Sequence, residues 1–157
     1  MFSMTTRSLR PLLLCTAALT ALAAAACDDE GTPPEPEPEV ATIRVTVGTS
    51  TIDVPVPGGT HTAIPLVVNQ ANQVSFRFLG ADGQDEPIVV AERADLVLRL
   101  ENLSTGWTFA ATGGTGATFT ATITPTTTGS FLPRLELENT EHGHNEVVRI
   151  LNVTVAQ

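Results

Sequence analysis

The octapeptide NTEHGHNE, residues 139–146, holds two of the three histidines in the chain and is the first candidate for metal chemistry. His142 and His144 are two residues apart, so their imidazoles would share a face if the backbone there is extended. Zn²⁺ accepts imidazole and carboxylate ligands, and a site needs three or four of them. The sequence therefore predicts a candidate zinc or copper site. Its candidate ligands are His142, His144, Glu141, Glu146 and, from a distant strand, His61.

The same octapeptide also has a simpler interpretation as a polar turn between two strands. Asn139 and Gly143 are residues that tolerate positive φ and are common in turns. A third interpretation is a pH switch, because histidine changes its charge between pH 5 and 8. Two local histidines do not decide among these alternatives, since a metal site needs at least one further ligand.

An acidic segment, GADGQDEP at residues 80–87, is a second candidate for ion binding. Carboxylate and carbonyl oxygens are the ligands that Ca²⁺ prefers. The candidate ligands are Asp82, Asp85 and Glu86. The spacing is not that of an EF-hand loop, and glycine with aspartate is also typical of a plain turn.

Signals of catalysis and of nucleotide or nucleic-acid binding are missing from the sequence. No serine lies in a G-x-S-x-G elbow, and no glycine-rich phosphate loop links a strand to a helix. We therefore expect no enzyme and no resident organic cofactor. The formal net charge is −9, and it becomes −11 without the two arginines among the first ten residues. Nucleic-acid binding is not expected, because it depends on basic residues that neutralise phosphates.

The N-terminal segment predicts export. Arg7 and Arg10 precede an apolar run of small residues, residues 11–26, that ends before Cys27. A basic start, a short apolar stretch and small residues at the cut are typical of a secretory signal peptide. The apolar run is also shorter than the roughly 20 residues that a membrane-spanning helix needs.

The junction Leu22-Ala-Ala-Ala-Ala-Cys27 resembles the lipobox of bacterial lipoproteins. The resemblance implies cleavage before Cys27, a diacylglyceryl group on its thiol and acylation of the new amine. It departs from the family at Ala24, where leucine is usual, so ordinary cleavage after an Ala-x-Ala site stays an alternative. Cys15 would leave with residues 1–26, so the mature chain could form no internal disulfide. Such acyl chains would anchor the protein stably to a membrane.

Residues 27–40 are predicted to be the lipidated cysteine and an extended linker. Its sequence, DDEGTPPEPEPEV, favours polyproline II, and thirteen residues at about 3.1 Å each span roughly 40 Å. Asp28 resembles the inner-membrane retention signal of enteric bacteria, but the choice of membrane stays open. The linker could also serve as a proline-rich ligand.

After Val40 the sequence alternates with period two, which predicts half-buried strands. Pro55 and Pro57 restrict one strand to an edge or a bulge. Trp107 is predicted at a strand start or in a loop, Glu136 on an exposed face, and a β-bulge near residue 150. No amphipathic helix is predicted between the strands. The predicted inward residues are Ile43, Val45, Val47, Val74, Phe76, Phe78, Leu96, Leu98, Leu100, Phe119, Ala121, Ile123, Leu135 and Leu137.

This pattern predicts an all-β domain over residues 41–157, an antiparallel β-sandwich of seven to nine strands. The strand rhythm and turns of FRFLGADGQDEP and GATFTATITPTTTGSFLPRLELEN are similar to those of bacterial immunoglobulin-like domains. The resemblance implies an immunoglobulin-like fold, although the Cys and Trp spacing of antibody domains is absent.

Together these features predict a membrane-anchored lipoprotein of the bacterial cell envelope, periplasmic or at the cell surface. Its domain would be a non-catalytic interaction module for a protein or glycan partner, because sandwich loops and edge strands are common contact surfaces. The alternative function is metal binding through the loop with His142 and His144.

Overall fold

The computed structural model describes residues 37–157, so residues 1–36, with the predicted signal peptide and Cys27, lie outside the described residues. Residues 37–157 form eleven β-strands and one short helix. In chain order they are β1 (Thr42–Val47), β2 (Ser50–Pro55), β3 (Ile64–Val67), β4 (Asn72–Leu79), α1 (Pro87–Ala91), β5 (Leu96–Glu101), β6 (Thr108–Gly113), β7 (Thr118–Thr124), β8 (Gly129–Phe131), β9 (Arg134–Asn139), β10 (His144–Ile150) and β11 (Val153–Ala156).

The largest sheet contains five antiparallel strands in the order β2–β1–β4–β7–β6. Its strands alternate apolar β-branched or aromatic residues with polar ones, which lets one face of the sheet be buried. Pro55 is the last residue of β2, at the edge of the sheet. The predicted edge position is confirmed, since proline cannot donate the hydrogen bond that a central strand requires.

The other six strands form two three-stranded sheets, in the orders β10–β9–β5 and β3–β11–β8. Two residues separate β8 from β9, and two separate β10 from β11. The Leu151 N–H donates to the Pro133 carbonyl over 2.9 Å, and the Ile64 N–H donates to the Asn152 carbonyl over 2.8 Å. These hydrogen bonds continue the strand pairing through the short connections between the two three-stranded sheets. β3 and β11 run parallel, which departs from the predicted antiparallel arrangement.

One hydrophobic core draws side chains from all three sheets. Every predicted inward residue is buried except Val47, which is partly buried and packs against the core. Burial of each large apolar side chain contributes about 1.5–3 kcal/mol before the cost of chain ordering. The body is therefore all-β with mainly antiparallel sheets around a shared core, which is consistent with a β-sandwich.

A short helix replaces the helix-free connection that the sequence predicted before β5. Helix α1 has proline at its first position, where the missing N–H is not needed, and it buries Val89. Just after it, the guanidinium of Arg93 lies 3.6 Å from the centroid of the Phe119 ring. Burial lowers the pKa of Arg93 from its ordinary value.

Trp107 directly precedes β6, as predicted, but it is buried rather than exposed in a loop. Its ring meets the Phe131 ring of β8 edge-on, with centroids 4.6 Å apart. Its indole N–H donates to Thr127 Oγ1 over 3.4 Å. The glycine and threonine beside it suggested exposure, yet the partner that buries it lies about two dozen residues further on.

The predicted bulge near residue 150 is wrong, because the register shift lies between Asn145 and Val147. Glu146 is the extra residue. Beyond it Val147 faces the core, as does Leu151 just after β10, whereas Val148 and Ile150 face solvent. The prediction failed because these last two apolar residues were taken for core residues.

Candidate functional site

NTEHGHNE forms the hairpin between β9 and β10, as the turn interpretation predicted. Gly143 has φ +69° and its N–H donates to the Asn139 carbonyl over 2.8 Å. The φ of Asn139 is not positive, and the residue is almost completely buried. Its Oδ1 accepts the N–H groups of Glu141 and His142, at 3.1 and 3.3 Å. Its side chain therefore closes the turn, in the way that asparagine often mimics a backbone acceptor.

The hairpin brings its two histidines and one glutamate together. The ring centroids of His142 and His144 are 5.8 Å apart. The Nε2 atom of His144 lies 3.0 Å from Oε1 of Glu146, the bulge residue, whose side chain is almost fully buried. Glu141 is exposed on the turn. The contact between His144 and Glu146 is an ion pair when the imidazole is protonated.

His61 does not join the hairpin. Its Nε2 accepts the Asn152 N–H over 3.2 Å, and its Nδ1 lies 2.8 Å from the Thr62 carbonyl. The Nδ1–H tautomer satisfies both bonds, because Nε2 must then be an acceptor. Asn152 follows β10, whereas His144 begins it, so eight residues at about 3.3 Å put roughly 26 Å between the two ends.

No three His, Cys, Asp or Glu side chains within residues 37–157 are placed to hold one metal ion. The predicted zinc or copper ligands are thus divided, with His61 at one end of β10 and the others in or beside the hairpin at the other end. The hairpin metal site stays a prediction that rests on His142, His144 and Glu146.

The acidic segment is also divided by the structure. Asp85 is held by Arg77, whose Nε lies 2.5 Å from its Oδ1. Asp82 Oδ1 accepts the Gln84 N–H over 2.9 Å, which closes the predicted turn. Glu86 is buried and lines a surface depression together with Asp82. Asp82 and Glu86 are therefore neighbours, whereas Asp85 has a different partner.

Two further acids of that depression were not predicted from the sequence. Glu37 and Glu39, at the described end of the linker, line it with Gly80, Asp82 and Glu86. Their alternation with proline indicated only an extended chain, and the contact joins segments more than forty residues apart. No local sequence signal could have found it.

The outer face of the β10–β9–β5 sheet carries a network of ion pairs. Arg99 pairs with Glu138, and Arg134 lies between Glu101 and Glu136. Glu136 is only 4% exposed, so its predicted exposure is wrong. It lies at the centre of the sheet, opposite Arg99 on one neighbouring strand and Val148 on the other, and their side chains flank it.

Beside this network lies an exposed apolar strip, which we call the β10 strip: Leu132, Val148 and Ile150. They are 66%, 45% and 43% exposed. Val148 is opposite Glu136 and Ile150 is opposite Arg134 in the sheet register, so the strip borders the ion pairs directly. Leu132 and Ile150 line one depression. The sequence had placed Val148 and Ile150 on one face but gave no sign that this face is exposed.

Comparison with known proteins supplies no relative. No protein-family model, curated protein or solved structure matches this chain. In the part of the chain that the structure describes, helices long and apolar enough to span a membrane are absent. The predicted lipidation site, Cys27, lies outside the described residues.

Proposed function

We propose that this chain is a lipid-anchored protein of the bacterial envelope whose β-sandwich binds a protein partner and does not catalyse a reaction. The observation that carries the proposal is the β10 strip. Three branched aliphatic side chains are exposed beside a row of ion pairs. An apolar centre with a charged border is the usual composition of a protein interface.

The strand order supports an immunoglobulin-like form of the sandwich. In one sheet the neighbouring strands are β1, β4, β7 and β6 in that order, and β2 is added at the edge beside β1. On the other side β5 pairs with β9, β9 with β10, and β11 with β3. The strands β1–β4–β7–β6 in one sheet and β5–β9–β10 in another support this form, because immunoglobulin domains pack a four-stranded sheet on a three-stranded one.

The anchor is proposed from the sequence of residues 1–27, with lipid attached at Cys27. The acidic linker then holds the domain away from the bilayer, because its prolines and like charges favour an extended chain. The partner is accordingly expected among envelope proteins, in the periplasm or at the cell surface.

A pull-down with charge-introducing variants tests the proposal. The tagged full-length protein is isolated from membranes as the wild type and as the variants Val148→Asp, Ile150→Asp and Val90→Asp. The proteins recovered with each sample are then compared. Val90 is 41% exposed on α1, so the control has the same chemistry and a similar exposure to Val148 away from the strip. We expect the two strip variants to lose a discrete envelope protein that the wild type and Val90→Asp retain. Equal recovery in all four samples, or recovery of a glycan alone, contradicts a protein partner at this surface.

Metal binding at the hairpin is the second candidate function, favoured by the closeness of His142, His144 and Glu146. Elemental analysis of the purified protein, beside the double variant His142→Ala/His144→Ala, tests it. Zinc or copper that disappears in the variant supports the site. Equal metal content in both proteins ends this hypothesis.

A further inference from the structure

Glu86 is a buried residue whose carboxylate lines the surface depression and has no side-chain partner among residues 37–157. It is 5% exposed and forms no side-chain cap on α1. Among residues 37–157 its carboxylate takes part in no hydrogen bond or ion pair, unlike the neighbouring Asp85. Burial of an unpaired carboxylate is unfavourable, so such a group is normally compensated by a cation or a donor.

The carboxylate of Glu86 lies on the same side of Gly80 as that of Asp82. A methyl group built on Gly80 would lie 3.0 Å from Glu86 Oε2 and 3.4 Å from Asp82 Oδ1. Both oxygens lie near one point, and a small inward movement would bring them to the 2.3–2.6 Å at which Ca²⁺ takes oxygen ligands.

The depression around these oxygens is strongly acidic. Glu37, Glu39, Asp82 and Glu86 all line it, and no basic side chain does so within the described part of the chain. Arg77 is bonded to Asp85, and neither residue lines the depression. Four carboxylates in one depression repel each other, and a divalent cation removes this repulsion.

We propose that Asp82 and Glu86 form the domain half of a calcium site that Glu37 and Glu39 complete from the linker. Oxygen ligands without histidine or cysteine select a hard cation. Ca²⁺ is favoured over Mg²⁺ because it accepts irregular sets of six to eight oxygens and fills vacancies with water. Since no three of these carboxylates converge in the structure, binding draws the linker acids inwards and fixes the linker against the domain.

Calcium titration of the full-length protein tests the proposal. We expect saturable binding by calorimetry with a Kd of about 0.1–1 mM, the range of extracellular calcium modules. Calcium at 10 mM should raise Tm by roughly 5 °C, because only the folded state binds. Absence of saturable binding up to 10 mM, or an equal Tm increase with Mg²⁺, overturns the proposal.

Variants separate the two halves of the site. Glu86→Gln and Asp82→Asn should each weaken calcium binding at least about tenfold. The double variant Glu37→Gln/Glu39→Gln should also weaken it, whereas Glu141→Gln should leave it unchanged, because Glu141 is an exposed acid that does not line the depression. Unaltered affinity in Glu86→Gln overturns the site, and unaltered affinity in the linker double variant overturns the role of the linker.

A folding control accompanies each variant. Without calcium, Glu86→Gln should unfold at the same or a higher temperature than the wild type, since an amide removes the repulsion from the other three carboxylates of the depression. Circular dichroism should give the same β-rich spectrum for both. A Glu86→Gln protein that is less stable without calcium contradicts the claim that this carboxylate is uncompensated.

Discussion

Replacement of Asn72 by aspartate should destabilise the domain although the two side chains have nearly the same shape. Asn72 begins β4, and its Oδ1 accepts the Val67 N–H over 2.9 Å. Its Nδ2 lies 3.0 Å from the Val67 carbonyl, 2.8 Å from that of Gln70 and 3.2 Å from that of Ile123. The side chain therefore links β3 and the following turn to β7, which belongs to a different sheet.

The magnitude follows from these contacts. The amide has two hydrogens for three carbonyls, so it forms about three full hydrogen bonds when the bond to Oδ1 is included. Each hydrogen bond contributes about 1 kcal/mol, so Asn72→Ala should lower the free energy of unfolding by roughly 3 kcal/mol. In Asn72→Asp a carboxylate oxygen faces the same three carbonyls, and repulsion should bring the loss to about 4 kcal/mol at pH 7.

Guanidinium unfolding followed by fluorescence of Trp107 measures both losses, since this single tryptophan is buried in the native core. Gln73→Glu is the matched control. It makes the same amide-to-carboxylate change one residue away, where an exposed side chain donates only to Thr122 Oγ1. Its loss should stay below about 1 kcal/mol. An Asn72→Asp protein as stable as the control, or more stable than Asn72→Ala, refutes the reasoning.

Three further predictions follow from individual contacts. Gly114→Ala should cost more than about 3 kcal/mol by thermal unfolding, because its Cβ would lie 2.0 Å from the Thr118 carbonyl oxygen at φ +133°. Gly48→Ala, at φ +57° in open space, should cost only about 1 kcal/mol, and equal losses would contradict the steric argument. The Arg44 guanidinium, bonded to Asp53 at 2.8 and 2.9 Å, holds the pKa of that carboxyl below its ordinary value. Because the pKa of Asp53 is lower in the folded protein, the pair stabilises the fold at pH values above the ordinary pKa of aspartate. This contribution is lost as the pH falls through the pKa of the folded state. NMR titration of Arg44→Gln should show the carboxyl pKa rising towards its ordinary value, and an unmoved pKa would count against the pairing.

The strands were predictable because period-two alternation is a local signal. Residues such as Phe76, Leu98 and Leu137 are buried as the alternation predicted. Glu136 and Trp107 were not predicted correctly, since their burial depends on neighbours from other strands. The parallel pairing of β3 with β11 could not be predicted either, because the two strands are distant in sequence and no turn fixes their pairing.

The candidate sites were predictable only as far as they are local. The hairpin with His142 and His144 followed from turn residues, whereas the acids Asp82, Asp85 and Glu86 were predicted as one group from which the structure separates Asp85. The position of His61 depends on how the chain after β2 returns to β10, for which the sequence contains no signal. The exposure of the β10 strip was also unpredictable, because a run of apolar residues has the same appearance whether it faces core or solvent.

We propose that a folded β-sandwich, tethered to the envelope through its N-terminal segment, meets a protein partner at the β10 strip. Photo-crosslinking in intact cells tests it most directly, with a photoreactive residue at position 148 of the full-length chain. We expect one discrete adduct with a membrane-fraction protein from position 148, and no such adduct from position 90. No adduct from position 148, or the same adduct from both positions, would contradict it.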